Sequence, residues 1–338
     1  MNRKKFLASI VPLAAVASSF GQKKTILPPD KNNKIPPYLK RGDTIGITSS
    51  AGYITLVDCA EAITAIEKWG YKTKIGTTIG KKHFTFGGTD EERLADFQQM
   101  LEDDTIKAIM IARGGYGFVH IIDKIDFTRF IKKPKWLIGF SDVTVLHSHV
   151  NKNTGIATIH SKMCNSFVKP ELAEPAQLET IDSIRKCISG EKMQYKAPIN
   201  NNNKIGTASG ILVGGNLKTL ESLAASKSDI NTDNKILFVE DTGEYLYSID
   251  RMFYNLKRSG KLQKLAGLVV GGFKIKKEEG TEDFGKTLEE IVLEKIAEFK
   301  YPVCFDFPVG HQKNNFALKC GVEHRLDVTA LESSLKEK

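Results

Sequence analysis

Residues Trp136–His147 run an apolar strand into Gly139 and Ser141, then change to helical spacing at Val143, Leu146 and Val150. At a strand-to-helix turn a serine Oγ is held clear of the sheet, and the next backbone N–H lies at the positive end of a helix. Ser141 is therefore a candidate nucleophile. The N–H of Asp142 is a candidate donor to the oxyanion that forms when the hydroxyl attacks a carbonyl. Val143 stands where a G-x-S-x-G elbow has its second glycine, and Ser141 or Asp142 as a simple helix N-cap also explains the stretch.

A second element, Ala112-Arg-Gly-Gly-Tyr-Gly117, follows an apolar run at Ala108–Ile111. Glycines after a strand let backbone N–H groups approach a ligand closely. The spacing is neither G-x-G-x-x-G nor a Walker sequence, and a plain tight turn also fits. If Ser141 is the nucleophile, an N–H of Gly114 or Gly115 is a natural second oxyanion donor, because both loops would share one sheet edge.

A nucleophilic serine needs a base, and the base an orienting acid. Of the seven histidines, His311 sits where Phe305–Gln312 breaks an apolar run with Pro308 and Gly310, a loop setting that presents an imidazole. His83, His120, His147, His149, His160 and His324 have no such setting. Glu240 ends the apolar run Ile236–Val239, with Asp241 after it. A carboxylate there is costly unless paired, and His311 is the candidate partner. Spacing alone leaves a structural role open for each.

The elements that must position these groups alternate. Thr44–Thr48, Tyr71–Ile75, Ala108–Ile111 and Trp136–Gly139 read as strands, Leu56–Trp69 and Thr89–Leu101 as helices. This rhythm predicts an α/β fold, with an N-terminal mainly parallel sheet carrying helices on both faces over residues 39–185. It fades after about residue 180. Tyr195–Lys204, with Pro198 and four asparagines at 200–203, reads as a linker or hairpin tip. Strand-like runs (208–213, 235–239, 268–270) and helices near 248–259 and 287–299 follow, predicting a smaller C-terminal α+β domain over residues 205–330.

The N-terminus is different material. Arg3, Lys4 and Lys5 precede the apolar stretch Phe6–Ala17, and Ala15-Val-Ala17 fits a cleavage site. Residues 1–20 are expected to be a signal peptide that exports the chain to the periplasm, and 21–38, with paired prolines, a tether. The formal charge of +9 comes from scattered lysines and arginines. They read as solvated surface, so no nucleic-acid partner is expected. No apolar run reaches the roughly 18 residues a spanning helix needs, so stable membrane insertion is not expected. Five widely spaced cysteines without a C-x-x-C argue against a metal or redox site and leave disulfides undetermined. A homodimer is left open.

Together these pieces resemble the LD-carboxypeptidase (muramoyltetrapeptide carboxypeptidase) family, which includes the microcin C immunity hydrolases. The matching stretches are Gly42-Asp-Thr-Ile-Gly46, Gly88-Thr-Asp-Glu-Glu-Arg-Leu94, Ala112–Gly117, Gly139-Phe-Ser-Asp142, Gly214-Gly-Asn-Leu217, Val239-Glu-Asp241, Ile249-Asp-Arg-Met252 and Gly310-His311. The resemblance implies a Ser141–His311–Glu240 triad divided between the two domains. It also implies an oxyanion hole from Asp142 and the Gly114-Gly115 loop, a muropeptide substrate cleaved before terminal D-Ala, and no metal or organic cofactor. Leu318-Lys-Cys-Gly321 and Ser49-Ser-Ala-Gly52 depart from the family pattern. Two other readings stand beside this one: the same chemistry on a peptidyl-nucleotide toxin, and an inactive periplasmic muropeptide-binding protein.

Overall fold

The computed structural model describes residues 34–277 and 284–338. The leader read over residues 1–20, and 21–33 of the tether, lie outside the described residues. The described end of that tether is held against the body. Lys34 N–H donates to Gly155 O at 3.0 Å, Ala157 N–H donates to Lys34 O at 2.9 Å, and Tyr38 stacks on Trp136. Polar composition reads residues 34–38 as part of a tether; backbone pairing with a segment far along the chain holds them against the body instead.

The first half contains β1 (Thr44–Thr48), α1 (Leu56–Lys68), β2 (Lys72–Ile75), α2 (Asp90–Glu102), β3 (Ile106–Ile111), α3 (Phe118–Ile121), α4 (Thr128–Lys132), β4 (Trp136–Gly139), α5 (Thr144–Thr154), β5 (Thr158–His160) and α6 (Pro175–Ser189). Thr55 with Asp58 and Thr89 with Glu92 form capping boxes that start α1 and α2 and satisfy their first free N–H groups. The second half contains β6 (Gln194–Ala197), β7 (Gly206–Asn216), α7 (Leu217–Ser222), β8 (Ile236–Glu244), α8 (Leu246–Arg258), β9 (Gly267–Ile275), α9 (Leu288–Lys295), β10 (Val303–Cys304), β11 (Leu318–Cys320), β12 (Glu323–Val328) and β13 (Ser333–Glu337).

The first sheet has the order β11-β5-β4-β3-β1-β2, parallel except where β11 runs against β5. Its side chains alternate between two cores. Along β3, Ala108 and Met110 face α1 and α6, while Ile109 and Ile111 face α2, α4 and α5. Helices thus cover both faces, as the alternating pattern predicted. The second sheet has the order β10-β9-β8-β7-β12-β13-β6, parallel from β10 to β7 and antiparallel beyond. Leu212, Phe238 and Val269 on one of its faces join the core shared with α1 and α6. The other face is covered by α7, α8 and α9, with α8 contributing Ile249, Met252, Phe253 and Leu256 at helical spacing.

Strands cross the expected boundary. Tyr195–Ala197, read as part of a linker or hairpin tip, belongs to the edge strand β6, held through β13 at residues 333–337. The turn lies just beyond, at Asn200–Asn203. β11, from the C-terminal part of the chain, closes the first sheet. All five cysteines are buried free thiols. Among the described residues no helix is long and apolar enough to cross a membrane.

Candidate active site

Ser141 stands at the carboxyl end of β4, where the chain turns through one short 3-10 segment into α5. Its φ of +62° lies in the left-handed region, which costs a non-glycine residue on the order of 1–3 kcal/mol and recurs at functional sites. Two contacts fasten the glycine loop to this turn. A Cβ placed on Gly114 would lie 3.3 Å from Ser141 Oγ, so the loop backbone runs directly against the hydroxyl. The Asp142 carboxylate accepts the Phe118 N–H at 2.8 Å, binding the far end of the loop to the residue after the serine. Gly114 O in turn accepts the Gly52 N–H at 2.9 Å, so Ser49–Gly52 backs the loop from outside. Burial pushes the Asp142 pKa up to about 6.

Glu240 and His311 meet at the corresponding edge of the second sheet. Glu240 is fully buried on β8, and His311 Nδ1 lies 2.6 Å from its Oε2, which also accepts the His311 N–H at 3.2 Å. The pairing shift that brings them together is local. Val239 pairs with Val270 but Asp241 with Phe273, so β9 carries an extra residue at Gly271-Gly272. Such a bulge re-aims its neighbours. Gly272 N–H donates to Val309 O at 2.8 Å, seating the histidine loop on the bulge. At Gly310, φ is +100° and a Cβ would fall 2.3 Å from the Glu240 Cβ, so only glycine lets the loop pass this close. Asn315 Oδ1 accepts the Gly310 N–H at 2.9 Å and completes the seat.

The two edges adjoin. The Phe140 ring, one residue before Ser141, lies 4.9 Å from the His311 imidazole between centroids. Among the described residues, no hydrogen bond joins Ser141 Oγ to His311; the glutamate and histidine are in direct contact and the serine is their neighbour through Phe140. Behind them, buried His160 packs against Phe140 at 5.7 Å and Phe238 at 5.0 Å. Burial drives its pKa well below that of a free imidazole. It is thus a neutral core residue at the seam between the sheets.

Three participants carried no assigned role in the sequence. The Asp142 side chain carries no sequence signal of its own beside the backbone N–H of that residue. Asn216 and Thr144 form a bridge between the sheets: Asn216 N–H donates to Thr144 Oγ1 at 3.0 Å, and its Nδ2 donates to Asp241 Oδ1 at 2.9 Å. Asp241 is pushed up to about 6 by burial. A Cβ on Gly215 would lie 2.4 Å from Thr144 Oγ1, so the glycine is what permits this approach. The stretch Gly214–Leu217 was a visible signal, since Asn216 also caps α7 through Thr219.

Two family models match in order: the N-terminal domain of the LD-carboxypeptidases over residues 45–161 and the C-terminal domain over 209–326. A probable murein peptide carboxypeptidase of Bacillus subtilis is 33% identical over 297 residues, spanning 86% of this chain and 91% of that protein. The microcin C7 self-immunity protein of Escherichia coli is 27% identical, spanning 88% and 94%. The crystal structure of a muramoyltetrapeptide carboxypeptidase from Oxalobacter formigenes superposes with a TM-score of 0.77 at 27% identity, covering 87% of this chain and 98% of the other. With both domains matched in sequence and the whole body matched in structure, the chain belongs to the LD-carboxypeptidase family.

Proposed function

We propose that the protein is a serine-type carboxypeptidase that releases terminal D-Ala from murein tetrapeptides, with Ser141 as nucleophile, His311 as base and Glu240 as the acid orienting it. The observation that carries this reading is the 2.6 Å contact between His311 Nδ1 and the buried Glu240 Oε2, beside a serine held at a left-handed φ. The glutamate fixes which imidazole nitrogen carries hydrogen, leaving Nε2 free to accept the Ser141 proton. Ser141 Oγ then attacks the amide carbonyl of the L-configured residue before D-Ala. The N–H groups of Asp142 and of Gly114 or Gly115 stabilise the oxyanion. The proton passes from His311 to the departing amine, and water hydrolyses the acyl-enzyme by the same route. Catalytic hydrogen bonds are often long before substrate arrives, so the serine–histidine bond is one the Michaelis complex tightens.

Export to the periplasm is supported by the basic Arg3–Lys5 and apolar Phe6–Ala17 leader. The substrate is then wall peptide outside the cytoplasm. The decisive assay incubates the purified mature protein with an L-Ala-D-Glu-diamino acid-D-Ala tetrapeptide and measures free D-Ala. Release is expected, together with a fluorophosphonate adduct mapping to Ser141. No release and no adduct would favour the binding-protein reading. The likeness to the microcin C7 self-immunity protein supports a second reading, hydrolysis of a peptidyl-nucleotide. An aminoacyl-sulfamoyl adenylate in the same assay separates it, since faster turnover of that compound than of the tetrapeptide would favour toxin hydrolysis.

A further inference from the structure

Five cationic side chains are buried among the described residues: Arg93, Lys135, Lys162, Lys295 and Lys319. A buried cation is tolerated when paired or fully hydrogen-bonded, and four of these obey. Arg93 donates to the carbonyls of Ser50 and Gly117 at 2.9 Å each and pairs with Asp90. Lys135 donates to the Met100 and Asp103 carbonyls at 2.9 and 2.7 Å, closing the end of α2. Lys295 pairs with Asp250 and Glu294, and Lys319 with Glu337 at 3.0 Å. Lys162 is the exception. The residue is only 6% exposed, and its ammonium makes no hydrogen bond or ion pair among the described residues. Burial lowers its pKa, and no neighbouring carboxylate works against that shift.

The location of Lys162 gives the exception meaning. It follows β5 in a segment tied on both sides to the nucleophile's surroundings. Ser161 N–H donates to Gly139 O at 3.0 Å, and Asn165 N–H donates to Ala112 O at 3.3 Å. Met163 Cε lies 3.2 Å from the position a Gly114 Cβ would take, the position that is also 3.3 Å from Ser141 Oγ. The one cation among these five with neither an acceptor nor an anion is therefore a neighbour, through Met163 and Gly114, of the candidate nucleophile.

We infer that Lys162 is the substrate's carboxylate anchor, pairing with the α-carboxylate of the terminal D-residue. This rests on the carboxypeptidase reading, because an exopeptidase must distinguish a chain end from an internal residue, and the terminal carboxylate is the group that differs. A largely buried positive charge without a partner binds that group strongly and gains little from a neutral amide in its place. Murein peptides also carry an upstream carboxylate, on the D-Glu residue, and the experiment separates the two.

The test measures kcat/KM for the wild-type protein, Lys162→Met and Lys162→Arg on three tetrapeptides: the free acid, its C-terminal amide, and a free acid amidated at the upstream carboxylate. The wild type is expected to favour the free acid over the C-terminal amide by about 10²-fold. In Lys162→Met that preference collapses, mainly through KM, with the amide rate nearly unchanged; Lys162→Arg restores most of it. The acid-to-amide ratio is taken within one protein, so a smaller folded fraction in a variant cancels. An unchanged ratio in Lys162→Met, or a wild type that cleaves acid and amide equally, overturns the anchor while leaving the carboxypeptidase reading intact. A preference that instead follows the upstream carboxylate overturns the assignment to the chain end. A wild type that releases neither D-Ala from the two free acids nor D-alaninamide from the amide overturns both.

Discussion

The carboxyl edges of the two sheets hold in opposite ways the groups proposed to react. On the first, Ser141 is placed by backbone: a left-handed φ, a tight turn into α5 and a glycine loop pressed against its hydroxyl. Its side chain is not what holds the turn together. On the second, Glu240 and His311 are placed by side chains, through a hydrogen bond that spans 71 residues of sequence and buries a carboxylate completely. The first edge therefore stores strain while leaving its proposed nucleophile detachable. In the second, the proposed acid–base pair and the structural support are the same atoms.

Substitutions should break this comparison unevenly. Ser141→Ala is expected to lower kcat for D-Ala release by a factor on the order of 10³ or more while leaving urea stability nearly unchanged. Ser141→Gly should lose the same activity and gain about 1 kcal/mol by relieving the left-handed strain. His311→Ala should lose comparable activity and also about 3 kcal/mol of stability, because it strands a buried carboxylate. Steady-state kinetics and urea titration on the three variants decide the matter. Equal stability of Ser141→Ala and His311→Ala would erase the distinction between the edges.

The same contrast explains what could be read in the sequence. β1 and β4 were legible to the residue, because strands of a parallel sheet buried on both faces are short apolar runs. So was the helix start at Thr89, whose capping box is a local signal. The short strands β6, β11 and β13 were not legible. Lys196, Lys319 and Lys336 alternate with smaller residues there, and those segments are strands only because of partners more than a hundred residues away or at the chain's end. Ser141 and the glycine loop are contiguous motifs and could be named. The Glu240–His311 pair could be raised from the cost of an unpaired carboxylate, but only resemblance singled it out, since nothing in their spacing encodes the β9 bulge that joins them. Lys162 looks like any solvated lysine in sequence; burial alone sets it apart.

The bridge between the edges sharpens the comparison at intermediate magnitude. Thr144 belongs to the helix that follows the serine, while Asn216 ends β7 beside Glu240 and Asp241 follows Glu240 on β8, and their hydrogen bonds link the two halves of the site directly. Removing the link should shift one reagent relative to the other without exposing either. Thr144→Val and Asn216→Ala are each expected to lower kcat about tenfold with little change in KM, as small misplacements of catalytic groups do. Thr144→Ser, which keeps the hydroxyl, should recover most of the loss. A fall confined to KM would mean that the bridge shapes substrate binding rather than alignment of the reagents.

The smallest expected effect concerns the acids that follow the reagents, Asp142 after Ser141 and Asp241 after Glu240. Burial pushes both up to about 6, against an ordinary value of 3.8. A carboxyl with a raised pKa takes up its proton in the folded chain before the unfolded chain does. Its contribution to stability therefore grows as pH falls from about 6 towards 4 and is lost as pH rises through that window. Buried His147, lowered to about 4 from an ordinary 6.5, acts in the opposite sense. The whole-protein curve accordingly mixes both signs, and single variants are needed to separate them. Asp142→Asn and Asp241→Asn keep an oxygen to accept the local N–H donors but cannot titrate. Relative to the wild type, each should forgo a gain on the order of 1 kcal/mol between pH 6 and pH 5. Urea titrations at the two pH values measure this directly. If the edges are alike in this one respect the two variants will match; a pH response in only one would show that at the other, unresponsive edge the partner donors, Phe118 at the first or Asn216 and Lys218 at the second, hold the carboxylate charged despite its burial.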